Sequence, residues 1–541
     1  MILSFLPIFY FFIACLALNL DVTNDTSIKN AASTIAYSMM KYYTGNISNT
    51  ESTIAVLPPP YYWWESGAMW GAMLDYQHYT GDLSYAQVVS QALSSQRGPK
   101  NDFMAPLHTK DEGNDDQAFW GFATMSAAEK NFPYPGSGIT WIGLTENLWN
   151  TQVGRWDISS CGGGLRWQIF DFNKGYDYKN TVSNAAFFQL SARLARFTGN
   201  QTYADWANKS YDWMVQMKLI DPEYRVFDGI DSNQCHDINQ LEWTYNHAII
   251  IYGAAVMQNH TNASPIWVER VQGFLQKTTS FFGPSEVIPK VMFEPICETQ
   301  SSCNTDQQSF KAYLSRFLWA STIMAPSISE KITHLLTTSA KAAAISCSGG
   351  SDGKICGEKW YVDGYDGSNG VGEYMAALEI IQGLLVKKSI APLRGINIDK
   401  NHVTPSLAVS FTEITCSIEL SQDTTISFSK TGATSLDIGQ TDIPSAPKPL
   451  HTLSSGLTEN KGDNKPSSSQ SMASSVVITS TLGAPSNDNE KSKSVGLSKP
   501  GGIARLDDSS ISVTFAPIPK VDTLSYHFVV VIMAIVQAWI M

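Results

Sequence analysis

Six times between Glu65 and Ala377 the sequence opens a helix-like run with a polar residue and continues it in small and aromatic apolar residues. The openings are Glu65-Ser66-Gly67-Ala68-Met69-Trp70, Asp116-Gln117-Ala118-Phe119-Trp120, Asn184-Ala185-Ala186-Phe187-Phe188, Asn246-His247-Ala248-Ile249-Ile250, Lys311-Ala312-Tyr313-Leu314 and Glu373-Tyr374-Met375-Ala376-Ala377. They recur about every 50–70 residues, the mark of a repeated supersecondary unit. Runs that are apolar on most faces are buried helices, so the amphipathic runs between them, such as Tyr203 to Met214 and Trp267 to Phe274, lie outside. Six inner and six outer helices closing on themselves predict an all-α (α/α)6 toroid, a six-hairpin barrel. The polar starts of the inner helices then converge on one mouth. No stretch of this region reads as a strand.

Composition sets the limits of that domain. From about residue 21 to 390 the chain is dense in Trp, Tyr, Phe, Ala and Leu. After Pro392 Ser, Thr, Gly, Asn, Asp and Lys dominate, so residues 391–508 are expected to be a mostly disordered, O-glycosylated Ser/Thr-rich stalk. Weak alternation in residues 393–430 is compatible with a few strands. Residues 1–17 read as a secretory signal, cut after Ala17, although the segment before its apolar run lacks Lys or Arg. The uncharged run Phe528 to Met541 is short for a bilayer span of roughly 20 residues. A small-residue site, a polar spacer and a short apolar end point to a glycosylphosphatidylinositol (GPI) anchor signal over 509–541, with attachment at Asp508. That choice leaves a spacer longer than the usual ~8–12 residues. A tail-anchored helix from Leu524 is the alternative.

Removal of Cys15 with the signal leaves seven cysteines, which in a secreted chain implies disulfides and one odd thiol. Cys297 with Cys303, and Cys347 with Cys356, are close enough to close small loops. Cys161 and Cys235 would then form the long-range pair and leave Cys416 over; spacing alone does not fix this connectivity. Asn24, Asn46, Asn200, Asn208, Asn259 and Asn262 lie in Asn-X-Ser/Thr sequons, expected on a glycosylated surface. A net charge of −12 without a basic stripe argues against nucleic acid. No CxxC or paired-His spacing suggests a metal, and no cofactor is expected. The chain is expected to be a secreted monomer at the outer plasma membrane or cell wall, held to the membrane through the anchor.

Gly113-Asn114-Asp115-Asp116 carries the chemistry. Cleavage or transfer at a glycosidic bond uses two carboxyl groups, one attacking or activating water and one protonating the leaving oxygen. Neighbouring residues on a regular helix point about 100° apart. Two adjacent carboxylates therefore address one bond most easily at a helix start, here with Asn114 as N-cap. The helix N-terminus helps keep one of them ionised. Around this mouth the toroid would gather Trp64, Glu65, Asn184, Asn246 and His247, and the loops add Arg166, Trp167, Asp228 and Tyr365 as sugar-binding residues. Glu65 is the best competing acid, with Asp228 next.

Four segments together, Gly113-Asn114-Asp115-Asp116, Cys161-Gly162-Gly163-Gly164-Leu165-Arg166-Trp167, Lys179-Asn180-Thr181-Val182-Ser183-Asn184-Ala185 and Thr244-Tyr245-Asn246-His247, resemble glycoside hydrolase family 76. More narrowly they resemble its fungal GPI-anchored mannan endo-1,6-α-mannosidases of cell-wall assembly and filamentous growth. The resemblance covers about residues 25–390. It implies an (α/α)6 fold and endo-action with retention on α-1,6-linked mannose, in mannan or in the GPI core glycan. By the resemblance Asp115 is the nucleophile and Asp116 the general acid/base. Transfer of anchored mannoproteins to wall glucan is an expected outcome beside hydrolysis. Two other classes remain open: a non-catalytic glycan-binding wall protein, and an inverting toroid glycosidase pairing Asp116 with Glu65 or Asp228.

Overall fold

In the computed structural model, residues 18–110, 112–133, 138–284 and 289–395 are described. The signal, the stalk beyond residue 395, Cys416, Asp508 and the anchor signal lie outside them. In chain order the helices are α1 (Asp25–Met40), α2 (Gly45–Ser48), α3 (Trp63–Thr80), α4 (Ala86–Ser95), α5 (Asn114–Glu129), α6 (Trp141–Gly154) and α7 (Thr181–Thr198). They continue as α8 (Gln201–Gln216), α9 (Thr244–His260), α10 (Pro265–Thr278), α11 (Thr305–Gln308), α12 (Phe310–Met324), α13 (Ser329–Ser346) and α14 (Val371–Gln382).

Each polar-headed run forms an inner helix: α3, α5, α7, α9, α12 and α14. Each packs on the next, and α14 packs back on α3 to close the ring. Nearly every residue of α7 from Thr181 to Phe197 is buried, because a helix enclosed on all sides has no solvent face to make polar. The outer helices α1, α4, α6, α8, α10 and α13 cover the ring and follow the opposite rule. Helix α8 buries Tyr203, Ala204, Ala207, Tyr211 and Met214 along one stripe and is started by Asn200, whose side chain accepts from Thr202 N. The fold is thus the expected (α/α)6 toroid.

One expectation needs correction: among its described residues the helical region contains seven short strands. β1 (Tyr178–Asn180), β2 (Gly229–Asp231) and β3 (Ile238–Asn239) form an antiparallel sheet with Asn180 opposite Gly229. β4 (Phe282–Gly283) pairs with β5 (Val291–Met292), and β6 (Cys347–Gly349) with β7 (Ile355–Cys356). Strands of two or three residues carry too few positions for a period of two to register in the sequence. Disulfides join Cys161 to Cys235, Cys297 to Cys303 and Cys347 to Cys356. Among the sequons Asn24, Asn46, Asn200 and Asn262 are exposed. Asn208 is half-buried, its amide donating to Ala204 O. Asn259 is also engaged, its side-chain oxygen accepting from Arg196 and Arg394.

The C-terminal ends of the inner helices form a floor of buried charge. Arg193 of α7 donates to Glu129 of α5 at 2.7 Å, and Arg316 of α12 bridges Glu379 at 2.8 Å and Asp75 at 3.8 Å. Lys130 pairs with Asp75. Below them the chain crosses the floor: Arg196 donates to the carbonyls of Pro392 and Leu393, and Leu393 N donates to Glu129 O. The cavity there measures about 30 Å³, room for about one water. Removing one partner of a buried pair leaves the other charge uncompensated. Arg193→Ala is therefore expected to cost about 3–5 kcal/mol of stability, read as a lowered urea midpoint; a variant within about 1 kcal/mol of the parent contradicts this. No helix among the described residues is long and apolar enough to cross a membrane.

Candidate active site

Helix α5 begins one residue earlier than expected: Gly113, in extended conformation, is the N-cap, and Asn114 is the first helical residue. The Asn114 side chain instead donates to Arg166 O at 2.8 Å and accepts from Arg155 Nε at 2.7 Å. Asn114 N donates to Trp167 O at 2.8 Å, so the start of α5 is bolted to the following loop. Gly113 has to be glycine here. A Cβ would lie 2.3 Å from Asp115 Oδ1, 3.1 Å from Asp116 Oδ2 and 3.1 Å from Trp167 O. One point beside Gly113 thus lies close to both carboxyls, and the two oxygens are no more than about 5.4 Å apart, nearer than the ~6.5–9.5 Å separation of inverting pairs.

Both carboxylates are held by donors. Asp116 Oδ2 accepts from Gly113 N at 2.6 Å, the carboxylate half of a capping box. Asp115 Oδ1 accepts from Asp116 N at 3.0 Å, and its Oδ2 from Asn180 Nδ2 at 2.9 Å. Asn180 is itself fixed twice, as N-cap of α7 and as a member of β1. Asp115 is buried and Asp116 half-buried. Burial, then the charge of Asp116, lifts the Asp115 carboxyl well above the ordinary range against the Asn180 hydrogen bond. Burial pushes Asp116 up to about 6, against the Gly113 N–H. The two titrate as a pair that keeps a shared proton near neutrality.

The surrounding wall is aromatic and acidic. Trp64 of α3 packs on Phe119 and Tyr313 with ring centroids 4.7 and 6.0 Å apart, and hydrogen-bonds Asp306. Asp228 Oδ2 accepts from Tyr178 at 2.6 Å and from Asn239 at 3.0 Å. Tyr245 stacks on Phe310 at 3.9 Å; burial, then the charges of Asp228, Asp115 and Asp306, raises its hydroxyl well above the usual range. None of these four aspartates is ion-paired among the described residues. No cluster among those residues has the makeup of a metal site.

The structure brings Asp115, Asp116, Trp64, Asp228 and Trp167 together at the mouth, and adds Asn180, Tyr245 and Asp306, which were not singled out from the sequence. An N-cap signal at Asn180, with Ser183 three residues on, was there to be read. The other residues expected to bind sugar have these surroundings. Arg166 is consumed by Asp157 at 2.8 Å, Ser232 at 2.8 Å and Tyr176 O at 3.0 Å. Asn184 is fully buried and spends its amide on Leu165 and Asn180. His247 points into the outer layer, bonded to Thr278 at 2.8 Å and packed on Phe274 and Phe281. Asn246 is fully buried. Glu65 is fully buried, with Oε2 accepting from Tyr62 N. Tyr365 lies against Gly349 of β6.

Buried carboxyls extend beyond the pair, Glu298 among them ion-paired with Lys311 at 3.1 Å. Burial pushes Glu65 and Glu294 up to about 8, Glu112 to about 9, and Glu298 and Glu373 to about 7. Each has a folded pKa above its unfolded value of about 4.5, so the folded state holds the proton more tightly. Their stabilising effect is complete below about pH 4.5 and is lost as pH rises through the folded values toward about 9. The melting temperature is expected to fall steadily across that interval; a flat or rising profile by calorimetry contradicts the burial assigned to these groups.

Residues 27–395 match the profile of Glycosyl hydrolase family 76. A curated relative from Candida glabrata, named mannan endo-1,6-alpha-mannosidase DCW1, is 45% identical over 389 residues, spanning 71% of this chain and 85% of the relative. Among solved structures, Dfg5 from Chaetomium thermophilum in complex with glucosamine is 39% identical with a TM-score of 0.66, covering 70% of this chain and 94% of that one. An inactive variant of an α-1,6-mannanase from Salegentibacter sp. HEL1_6, in complex with α-1,6-mannotriose, has a TM-score of 0.53 over 66% of this chain and 99% of that one. At 17% identity it is alike in fold alone.

Proposed function

The chain belongs to glycosyl hydrolase family 76, and from that premise we propose that it is a retaining, endo-acting α-1,6-mannosidase or transglycosidase of the fungal cell wall. The observation that carries the proposal is the Asp115–Asp116 pair, two adjacent carboxyls held at the toroid mouth by Asn180 and Gly113. Their close approach beside Gly113 suits direct attack better than activation of an interposed water. The names of the relatives supply the substrate class, α-1,6-linked mannose.

In the free cleft burial places the shared proton of the pair on Asp115. A mannoside entering over the more exposed Asp116 excludes water from it and raises its proton affinity, so the proton passes to Asp116 and Asp115 becomes the anion. Asp115 then attacks the anomeric carbon, and the bond to the glycosidic oxygen breaks as Asp116 delivers its proton to that oxygen. In the second half Asp116 takes the proton of water or of a sugar hydroxyl, whose oxygen displaces Asp115. Water gives hydrolysis and a glycan hydroxyl gives transfer; wall glucan is the acceptor we favour. Delivery to the cell surface through the amino-terminal signal and a GPI anchor completes the reading, supported by the disulfides and the exposed sequons.

The test is product analysis by mass spectrometry after incubation of the purified protein with an α-1,6-mannooligosaccharide, with and without a gluco-oligosaccharide acceptor. Shortened mannosides alone mean hydrolysis, and mixed mannosyl-glucosides mean transfer. An intact substrate in both arms, with binding retained, favours the non-catalytic wall protein instead.

A further inference from the structure

The outer wall of the toroid carries a groove that shares no residue with the mouth. One side is α1, which contributes Ser33, Thr34, Tyr37 and, at its C-cap, Lys41. A second side is the turn between α3 and α4, with Asp82, Ser84 and Tyr85. The third is the tip of the β6–β7 hairpin, with Asp352 and Lys354. Trp64 and Thr80 stand at opposite ends of α3, about 24 Å apart at 1.5 Å per residue, so the α3–α4 turn is far from the carboxylate pair.

The walls of the groove are held in place from behind. Asp82 Oδ1 accepts from Ser84 N at 2.9 Å, and its Oδ2 accepts from the Tyr76 hydroxyl at 2.5 Å. Tyr76 also packs edge-on against Tyr85, with ring centroids 6.1 Å apart. The Cys347–Cys356 disulfide closes the base of the hairpin. The space between the three sides measures about 310 Å³, at the lower end of the ~300–1,000 Å³ usual for ligand sites.

The lining selects among ligand classes. Among the described residues that form it none is aliphatic, so a lipid tail or an apolar peptide anchor finds nothing to bury against. Lys41 and Lys354 balance Asp82 and Asp352, so a strongly charged ligand meets as much repulsion as attraction. What is left is an aromatic ring among hydrogen-bonding groups. Tyr37 is 61% exposed, with Lys41 Nζ 4.6 Å from its ring centroid, and Ser33, Thr34 and Ser84 add hydroxyls. We propose that this groove is a second glycan site, which holds a short stretch of a neutral hexose polymer. A C–H face of the sugar lies on Tyr37, and its hydroxyls bond the carboxylates and ammonium groups around it. A polymer gripped both here and at the mouth makes its second contact intramolecularly, which raises overall affinity with no new contact at the mouth. Nothing in the groove depends on which of Asp115 and Asp116 attacks.

Polymer binding and turnover of a short substrate separate the groove from the mouth. Full-length protein is tested for binding to immobilised α-1,6-mannan and to immobilised β-glucan, beside turnover of α-1,6-mannotriose. Tyr37→Ala and Lys354→Ala, both at exposed positions, should each weaken binding to at least one polymer by about fivefold or more. Turnover of mannotriose should stay within about twofold, because the two sites are distant and share no partner. The polymer that loses affinity identifies the glycan. Its oligosaccharide should also slow amide hydrogen exchange across residues 33–41 in the wild-type protein and not in Tyr37→Ala. Unchanged binding of both polymers in both variants, no slowing of exchange in the wild-type protein, or equal loss of binding and turnover overturns the groove as a glycan site. A wild-type protein that fails to cleave mannotriose overturns the enzymatic reading instead, while the binding arms still decide the groove.

Discussion

Asp115→Asn is expected to lower turnover of an α-1,6-mannooligosaccharide by about 10⁴–10⁶-fold, the loss typical when a nucleophile is removed. An amide of the same shape cannot form the glycosyl ester. It still fills the place between Asn180 and the start of α5, so circular dichroism should be unchanged. The same change should raise stability at neutral pH, because it removes a group whose ionisation burial and the neighbouring charge oppose. An Asn variant that is inactive and more heat-resistant is hard to explain by misfolding. A variant that keeps more than about a hundredth of the activity removes Asp115 from the nucleophile role.

Asp116→Ala should lower activity on natural linkages by about 10²–10⁴-fold, the range for loss of a general acid/base. With an activated donor such as a mannosyl fluoride the first half-reaction needs no proton, so the glycosyl-enzyme should form and accumulate. Azide, which needs no general base, should then restore turnover and give an α-mannosyl azide. The working pair carries one proton, so kcat/KM should climb as pH rises past about 6, where the doubly protonated pair loses its first proton, and the variant should lose that acid limb. A β-configured azide product would make Asp116 the nucleophile, and an acid limb untouched in the variant would assign the acid to another group, Glu65 being the best competing acid.

The ring was legible because its inner helices leave a sequence mark that few folds share. When α7 or α9 is enclosed on every side, apolar residues fill most of its faces and polar residues gather at its start and toward its end. That same all-round burial explains the misplaced His247 and Asn184. On a helix without a solvent face, sequence does not tell which side looks into the ring and which into the outer layer. Asp115 and Asp116 were legible because two acids at an apolar helix start are a local signal. Tyr245 and Asp306 reach the pair only through ring closure, which brings the start of α9 and the short helix α11 beside the start of α5, so no local spacing marks them. Arg166 failed for a different reason: its partners Asp157 and Ser232 are fixed by the loop and by β2–β3, contacts that a Gly-rich stretch does not announce.

The central claim is that Asp115 becomes covalently attached to sugar. A slow 2-fluoro-mannosyl donor, followed by proteolysis and peptide mass mapping, tests it directly. One added fluoromannosyl group on the Asp115 side chain is the predicted result. A label on another carboxyl, or no label while the enzyme releases product of inverted configuration, contradicts it.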